Sequence, residues 1–279
     1  MIGRTPSTIN AGRILQHGTP ESVKQSAIFF RNSLRPYCGL LNLAPRVVVT
    51  VASKNEPDRR AVRDTMYCAG SRDVLLLEAG MAAAIGAGWN VQEPEFRASL
   101  VFERDWFQYS VISLAGVVTG AQEATGFENL LEDIAIYLTE TQQFCPAPDV
   151  LLNQVRQSGF RQTAEGVLGW DAWVADVSQG RARLENVDAE SMVRGVTPAL
   201  RRLALKIQQA HQRLDREKQL LAEAAPLHMF GEYGEIPGLA ALLEQTLNRK
   251  VVVGPEPRQA MIRGALSVLK NLDWWLSNI

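Results

Sequence analysis

Residue types able to do chemistry are sparse and scattered in this chain of 279 residues. The three histidines, His17, His211 and His228, have no Cys or Asp at ligand spacing beside them, so the sequence predicts no metal site. Three cysteines, Cys38, Cys68 and Cys145, are odd in number and widely spaced. They read as free thiols in a reducing cytosol rather than as a disulfide framework or a zinc site. No Ser or Cys nucleophile pattern is present. One charged trio, Glu103-Arg104-Asp105, interrupts two apolar runs, Leu100-Val-Phe102 and Tyr109-Ser-Val-Ile-Ser-Leu114.

Composition narrows the classes of function. Apolar residues make up 46 % and charged residues 21 %, which is globular composition with enough material to bury a core. Lys+Arg 29 against Asp+Glu 30 gives a formal net charge of -1, and no basic run offsets it, so no nucleic-acid partner is expected. No apolar stretch reaches the roughly 18 residues of a membrane span. The opening residues lack the basic-then-apolar layout of a signal peptide, and the expected location is cytoplasmic.

The elements that must position any site follow from pattern. Arg46-Val-Val-Val-Thr-Val-Ala52 reads as a strand covered on both faces. A helix follows from Arg59 to Cys68, with Asn55 as its cap and Gly70 as its stop, and Val74-Leu-Leu-Leu77 reads as a second buried strand. Together they make a right-handed βαβ unit. Met81 to Ile85 starts another helix. Leu100–Phe102, Tyr109–Leu114 and Gly116–Val118 read as consecutive antiparallel strands, and Leu130–Leu138 as a helix. Residues 146–192 have weak periodicity, with Trp170 and Trp173 as expected anchors of a small satellite. Thr197 then reads as the cap of a helix with Pro198 in its first turn and Leu200, Leu203, Ile207, Ala210 and Leu214 along one stripe, packed in a core or against a coiled-coil partner. A helix over Leu239–Leu247, the strand Val251–Val253 and a helix from Arg258 complete an α/β protein with two sheet-centred halves.

Several segments, in order and at matching spacing, resemble the bacterial actin MreB family. They are Ile2-Gly-Arg-Thr-Pro6, the Arg46-Val-Val-Val strand, Asp58-Arg-Arg-Ala-Val-Arg-Asp64, Ala69-Gly-Ser-Arg-Asp73, Met81-Ala-Ala-Ala-Ile-Gly-Ala-Gly88 and Val111-Ile-Ser-Leu-x-Gly-Val-Val118. The similarity is dense over residues 1–118 and nearly absent between 146 and 230. The resemblance implies an actin-like ATPase fold, two ribonuclease-H-like lobes closing on a nucleotide, in a protein that polymerises beneath the membrane to guide wall synthesis. Residues 1–96 are expected to form a partial first lobe. Residues 97–279 are expected to form the second, with 146–195 as a small inserted subdomain. The family's first phosphate hairpin lies in a segment preceding the position that Met1 matches, so the first lobe is expected to be incomplete.

The same resemblance places an altered nucleotide site. Where the family reads Asp-Ile-Gly-Gly-Gly-Thr-Thr-Glu, this chain reads Val101-Phe-Glu-Arg-Asp-Trp-Phe-Gln108. The metal-holding Asp falls on Val101, and the three glycines fall on Glu103, Arg104 and Asp105. Either carboxylate, close to a triphosphate, would repel it by about 1 to 4 kcal/mol. The family's water-positioning Glu falls on Ala79, which cannot orient water, while Glu78 fits a neighbouring, non-catalytic carboxylate. The adenosine-side Gly-Gly-Gly falls on Gly231-Glu232-Tyr233. Gly126 and Gly234 complete the expected remnant of the site, and the adenine-side Lys and Glu fall near Val155 and Gln157. On this reading the chain is a scaffold that keeps the fold, needs no cofactor, and has lost the ATPase chemistry.

Two other functions stand beside it. One is an active ATPase using ATP and Mg²⁺ through a divergent site, with Arg104 as its nearby cation. The other is a non-polymerising adapter for membrane complexes. The resemblance also implies a membrane loop at Tyr37, Leu40, Leu41 and Leu43, which either inserts in lipid on the cytoplasmic face or packs back on the first lobe. It implies a filament contact through Arg59, Val62 and Met66 on a helix that could equally be a plain βαβ crossover. Expected partners are a true MreB, cell-envelope morphogenesis proteins, or further copies of the chain. Trp274 and Trp275 either anchor on a partner or lipid or cover the last helix.

Overall fold

The computed structural model describes residues 15–16, 19–38, 44–160, 170–176 and 180–278. The chain packs as two compact units, residues 1–78 with 268–279 and residues 79–267. The sequence put its lobe boundary at 96/97, so the two cuts fall at different places.

In the first unit β1 (Leu15–Gln16) and β2 (Thr19–Pro20) pair antiparallel, followed by α1 (Val23–Leu34). The expected βαβ unit is then present: β3 (Arg46–Val51), α2 (Glu56–Cys68) and β4 (Asp73–Glu78), with β3 and β4 parallel from Arg46↔Asp73 to Val51↔Glu78. Val62 from the crossover helix packs with Val51 and Leu76. Asn55 stands at the helix start, but its side chain makes no capping bond; its N–H donates to Ser53 Oγ at 3.1 Å. Gly70, at φ 102°, follows the helix in the left-handed region that suits glycine. The expectation of a fully covered first strand is corrected: Arg46 to Thr50 are half-buried, and among the described residues the β3–β4 sheet has two strands.

The second unit is built on one five-stranded sheet. α3 (Ala79–Gly86) precedes the meander β5 (Arg97–Phe102), β6 (Phe107–Ser113) and β7 (Gly116–Glu123), and α4 (Phe127–Gln142) follows. Next come β8 (Phe144–Pro146), α5 (Pro148–Gln157), β9 (Trp170–Asp176) and β10 (Arg181–Val187), whose strands form a separate antiparallel sheet in the order β10-β9-β8. The expected satellite region thus has a sheet of its own, while the side chains of Trp170 and Trp173 lie outside the described residues. α6 (Ala189–His211), α7 (Arg216–Ala224), β11 (Leu227–Phe230), α8 (Leu239–Leu247), β12 (Val251–Val253) and α9 (Ala260–Lys270) follow, and α10 (Leu272–Asn278) lies in the first unit. The large sheet has the order β12-β11-β5-β6-β7, with β11 parallel to both β5 and β12.

Strand alternation gives this sheet two buried faces. Leu100, Phe102, Tyr109 and Met229 join the main core with Ile134 of α4, Leu203 and Ile207 of α6 and Leu243 of α8. Val101 and Phe230 join a second cluster with Ala79 and Ala83 of α3 and Ala260 of α9. The small residues of the Met81-Ala-Ala-Ala-Ile-Gly segment allow a very close helix crossing. A Cβ on Gly86 would stand 1.8 Å from the Ala260 carbonyl oxygen, so no larger residue fits.

α6 departs from its expected start. The helix begins at Ala189, where the Asp188 carboxylate accepts the Ser191 N–H at 2.7 Å. Thr197 is interior, its hydroxyl donating back to the Val193 carbonyl at 2.7 Å, and Pro198 lies inside the helix. The stripe is otherwise as expected, with Leu200, Leu203, Ile207 and Ala210 buried in the main core. That favours core packing over a coiled-coil seam.

Candidate functional site: the 101–108 hairpin and its neighbours

The segment the sequence marks as altered is the β5–β6 hairpin, in the register Leu100↔Tyr109, Val101↔Gln108 and Phe102↔Phe107. The turn closes through Glu103 N–H, which donates to the Trp106 carbonyl at 3.0 Å. Val101 and Ala79 are 0 % and 1 % exposed and share the apolar cluster under the hairpin, with Trp89 and Trp106 packed against it. Opposite Val101, Gln108 accepts the Gly80 N–H at 2.7 Å and satisfies the first turn of α3.

Two other backbone segments converge on the turn. The Glu103 carboxylate accepts the Glu232 N–H at 3.2 Å, and the Tyr233 N–H approaches the Phe102 carbonyl at 3.4 Å. From the start of α4, the Phe127 and Glu128 N–H groups donate to the carbonyls of Glu103 and Arg104 at 2.9 and 2.8 Å. Two of the helix's first donors are therefore taken by the hairpin itself. Gly126 and Gly231 permit these approaches. A Cβ on Gly126 would stand 2.5 Å from the backbone of Arg104, Asp105 and Trp106. One on Gly231, at φ 98°, would stand 2.4 Å from the Phe102 oxygen. Gly234 N–H closes the turn onto the Gly231 carbonyl at 3.2 Å.

Side chains complete the cluster. Arg104 Nε donates to Glu128 at 2.5 Å, and this bond, ahead of the Glu128 charge, raises the guanidinium pKa. Arg156 donates to Glu232 at 2.6 Å and to the Tyr233 hydroxyl at 3.2 Å. The Tyr233 ring stacks on Phe127 at 4.3 Å. Burial pushes the Glu103 carboxyl up to about 7; the Glu232 N–H pulls the other way, and the Glu232 and Asp105 charges add to the rise.

Glu103, Arg104, Asp105, Gly126, Gly231 and Gly234, far apart along the sequence, thus gather on one surface of the second unit. Glu103 turns inward onto Glu232, whereas the Arg104 side chain is exposed and turned to Glu128. Glu128 and Arg156, which hold the cluster together with Glu232, went unsuspected in the sequence; only the position of Glu128 in the first turn after Gly126 offered a signal. Val155 of α5 is buried in the main core and Gln157 is exposed.

The remaining candidates lie in the first unit. Glu78 ends β4, with Lys54 Nζ 3.5 Å from its Oε2. Of the three positions named for a filament contact, Val62 and Met66 are buried and Arg59 is half-buried, while Arg60, Asp64, Tyr67 and Cys68 of the same helix are exposed. Tyr37 is 80 % exposed, while Leu40, Leu41 and Leu43 lie outside the described residues. Trp274 is exposed, its ring edge-on to Trp275 at 5.0 Å. Among the described residues, no group of three His, Cys, Asp or Glu side chains could hold a metal ion, and no helix is long and apolar enough to cross a membrane.

Comparison with known proteins agrees with this architecture. The cell shape-determining protein MreB of Pasteurella multocida is 24 % identical over 286 residues, covering 98 % of this chain and 79 % of that protein. The MreB of Escherichia coli K12 is 23 % identical over 276 residues, covering 98 % and 80 %. In three dimensions, MreB5 of Spiroplasma citri bound to AMPPNP superposes with a TM-score of 0.84 at 14 % identity, over 100 % of this chain and 84 % of that one. A MamK double helical filament gives a TM-score of 0.71 at 15 % identity, over 92 % and 80 %. The fold is therefore the actin-like ATPase fold. With a match to the MreB/Mbl protein family that runs from residue 1 to residue 277, the chain belongs to that family.

Proposed function

We propose that this chain is an MreB-type actin homologue that serves the bacterial cell-shape cytoskeleton as a scaffold or filament-associated subunit without nucleotide chemistry. The observation that carries this reading is the fate of two positions. Where the family resemblance calls for a metal-holding Asp and a water-positioning Glu, Val101 and Ala79 lie in a buried apolar cluster. Neither can hold Mg²⁺ or orient water. The turn that would cradle phosphates carries the Glu103 carboxylate instead, and its neighbouring backbone donors at 127, 128 and 232 are already engaged. These residues do not fit a magnesium–triphosphate group. Arg104, the cation an active site would need, is committed to Glu128.

In this scheme the chain copolymerises with, or docks on, a nucleotide-binding MreB or its envelope partners. Exposed Tyr37 and the apolar residues Leu40, Leu41 and Leu43 supply a peripheral contact on the cytoplasmic face of the membrane. The test is co-sedimentation of the full chain, alone and with a nucleotide-binding MreB, in the presence and absence of ATP and Mg²⁺. The expected result is pelleting with the partner, with the chain's own pelleting indifferent to ATP. Phosphate release by the chain alone, or pelleting that requires ATP, would overturn the reading. For the membrane contact, wild type is expected to pellet with liposomes, and the Leu40→Ser/Leu41→Ser variant to lose that pelleting; equal pelleting removes the contact.

A further inference from the structure

The sheet of the first unit ends in an open strand. β3 pairs with β4 on one side, in unbroken register from Arg46↔Asp73 to Val51↔Glu78, and with no strand on its other side among the described residues. Parallel strands are ordinarily covered on both faces, and a lone pair of strands is marginal in water. Burial marks the side that is short of a neighbour. Leu75, Leu76 and Leu77 in β4 are buried, while Val47, Val48, Val49 and Thr50 of β3 are only half-buried.

Folds that keep an edge strand to themselves blunt it with a lysine, a proline, a bulge or a very short ladder. β3 has none of these within its six residues, and every position from Val47 to Val51 is β-branched. Arg46 is the one charge on the strand. It is drawn to Asp73 and Asp273, with Nε 3.0 Å from the first carboxylate and Nη2 2.5 Å from the second. An edge of this kind takes up an extended strand through its outward N–H and C=O groups.

We propose that a second copy of this chain fills that edge, β3 pairing antiparallel with its own counterpart about a two-fold axis at Val49. The order of residues selects this occupant. Run backwards, Val47-Val-Val-Thr-Val51 sets Val47 opposite Val51, Val48 opposite Thr50 and Val49 opposite Val49. Each pair joins residues of one face, every pair is β-branched, and no charge meets a like charge. Arg46, held by its two aspartates, falls outside the paired positions. The product is a four-stranded sheet in the order β4-β3-β3-β4, and an isologous contact closes there as a dimer. This contact lies beyond the scaffold reading and needs neither nucleotide nor another protein.

The test is sedimentation velocity of the full chain over a concentration series, with amide exchange of β3 followed in the same samples. A concentration-dependent dimer is expected, and exchange at the β3 amides turned away from β4 slows as it forms. Thr50→Lys, which puts a lysine on the edge, is expected to weaken dimerisation by roughly tenfold or more. Adding Val48→Glu to that variant sets opposite charges across the axis and is expected to restore most of the loss. Val49→Cys is expected to cross-link two copies at position 49 under mild oxidation, since opposed strand residues stand within disulfide reach; peptide mapping identifies the link. This arm holds even if Thr50→Lys unfolds the chain. A monomer at every concentration, outward β3 amides already protected in the monomer, a dimer that a folded Thr50→Lys variant leaves unchanged, or no link at position 49 would overturn the proposal.

Discussion

Val101 and Ala79 lie in one buried apolar cluster, on β5 and at the start of α3, with Phe230, Ala83 and Ala260 around them. An acid placed there would have to lose its charge or remain unpaired in an apolar setting. Val101→Asp is therefore expected to lower stability by about 3 to 5 kcal/mol, read as a fall in the denaturation midpoint. It is not expected to create magnesium-dependent phosphate release, because Ala79 and the occupied backbone donors are unchanged.

Glu103 gives a pH signature. Its carboxyl is raised from the ordinary 4.5 to about 7, chiefly by burial. Between those values the folded state binds more protons than the unfolded one, so the group's contribution to stability falls as pH rises through that window. Below it, Glu103 is protonated in both states and costs nothing. Glu103→Gln is accordingly expected to be more stable than wild type by about 1 to 3 kcal/mol at pH 8, with the difference vanishing below pH 4.5. Chemical denaturation across pH 4 to 8 measures it.

Gly126 holds the helix start against the hairpin. An added Cβ would stand 2.5 Å from the backbone of residues 104–106, so Gly126→Ala must force the two segments apart. A loss of about 1 to 3 kcal/mol is expected. Faster amide exchange at Phe127 and Glu128, whose N–H groups bond to the turn, would localise the damage.

Pro198 inside α6 removes one helical hydrogen bond. Pro198→Ala is expected to raise stability by about 1 to 3 kcal/mol, seen as a higher melting temperature.

How far the sequence could be read follows from how local each signal was. The run Arg46-Val-Val-Val and the stripe from Leu200 to Ala210 carry their period in neighbouring residues, and both elements are where that period puts them. The true start of α6 was hidden because Thr197-Pro198 mimics a helix beginning, whereas the working cap, Asp188 on Ser191, follows directly on β10. At the site, Val101 and Ala79 could be singled out through the family resemblance, because the matched segments on either side fix which family positions they occupy. The partners that hold the hairpin were not. Glu103 reaches a residue 129 positions away, and Tyr109 is joined to His211 and Arg249 across 102 and 140 positions. Only folding brings such pairs together. Arg104 illustrates the limit: its charge was plain in the sequence, but its direction depended on Glu128.

The reading as a scaffold without nucleotide chemistry requires that the 101–108 hairpin no longer accept a magnesium–nucleotide. Calorimetric titration of the full chain with ATP and Mg²⁺, with phosphate release followed in parallel, tests it most directly. No saturable heat is expected up to millimolar nucleotide, and no phosphate above the protein-free blank. Micromolar binding accompanied by phosphate release would contradict it.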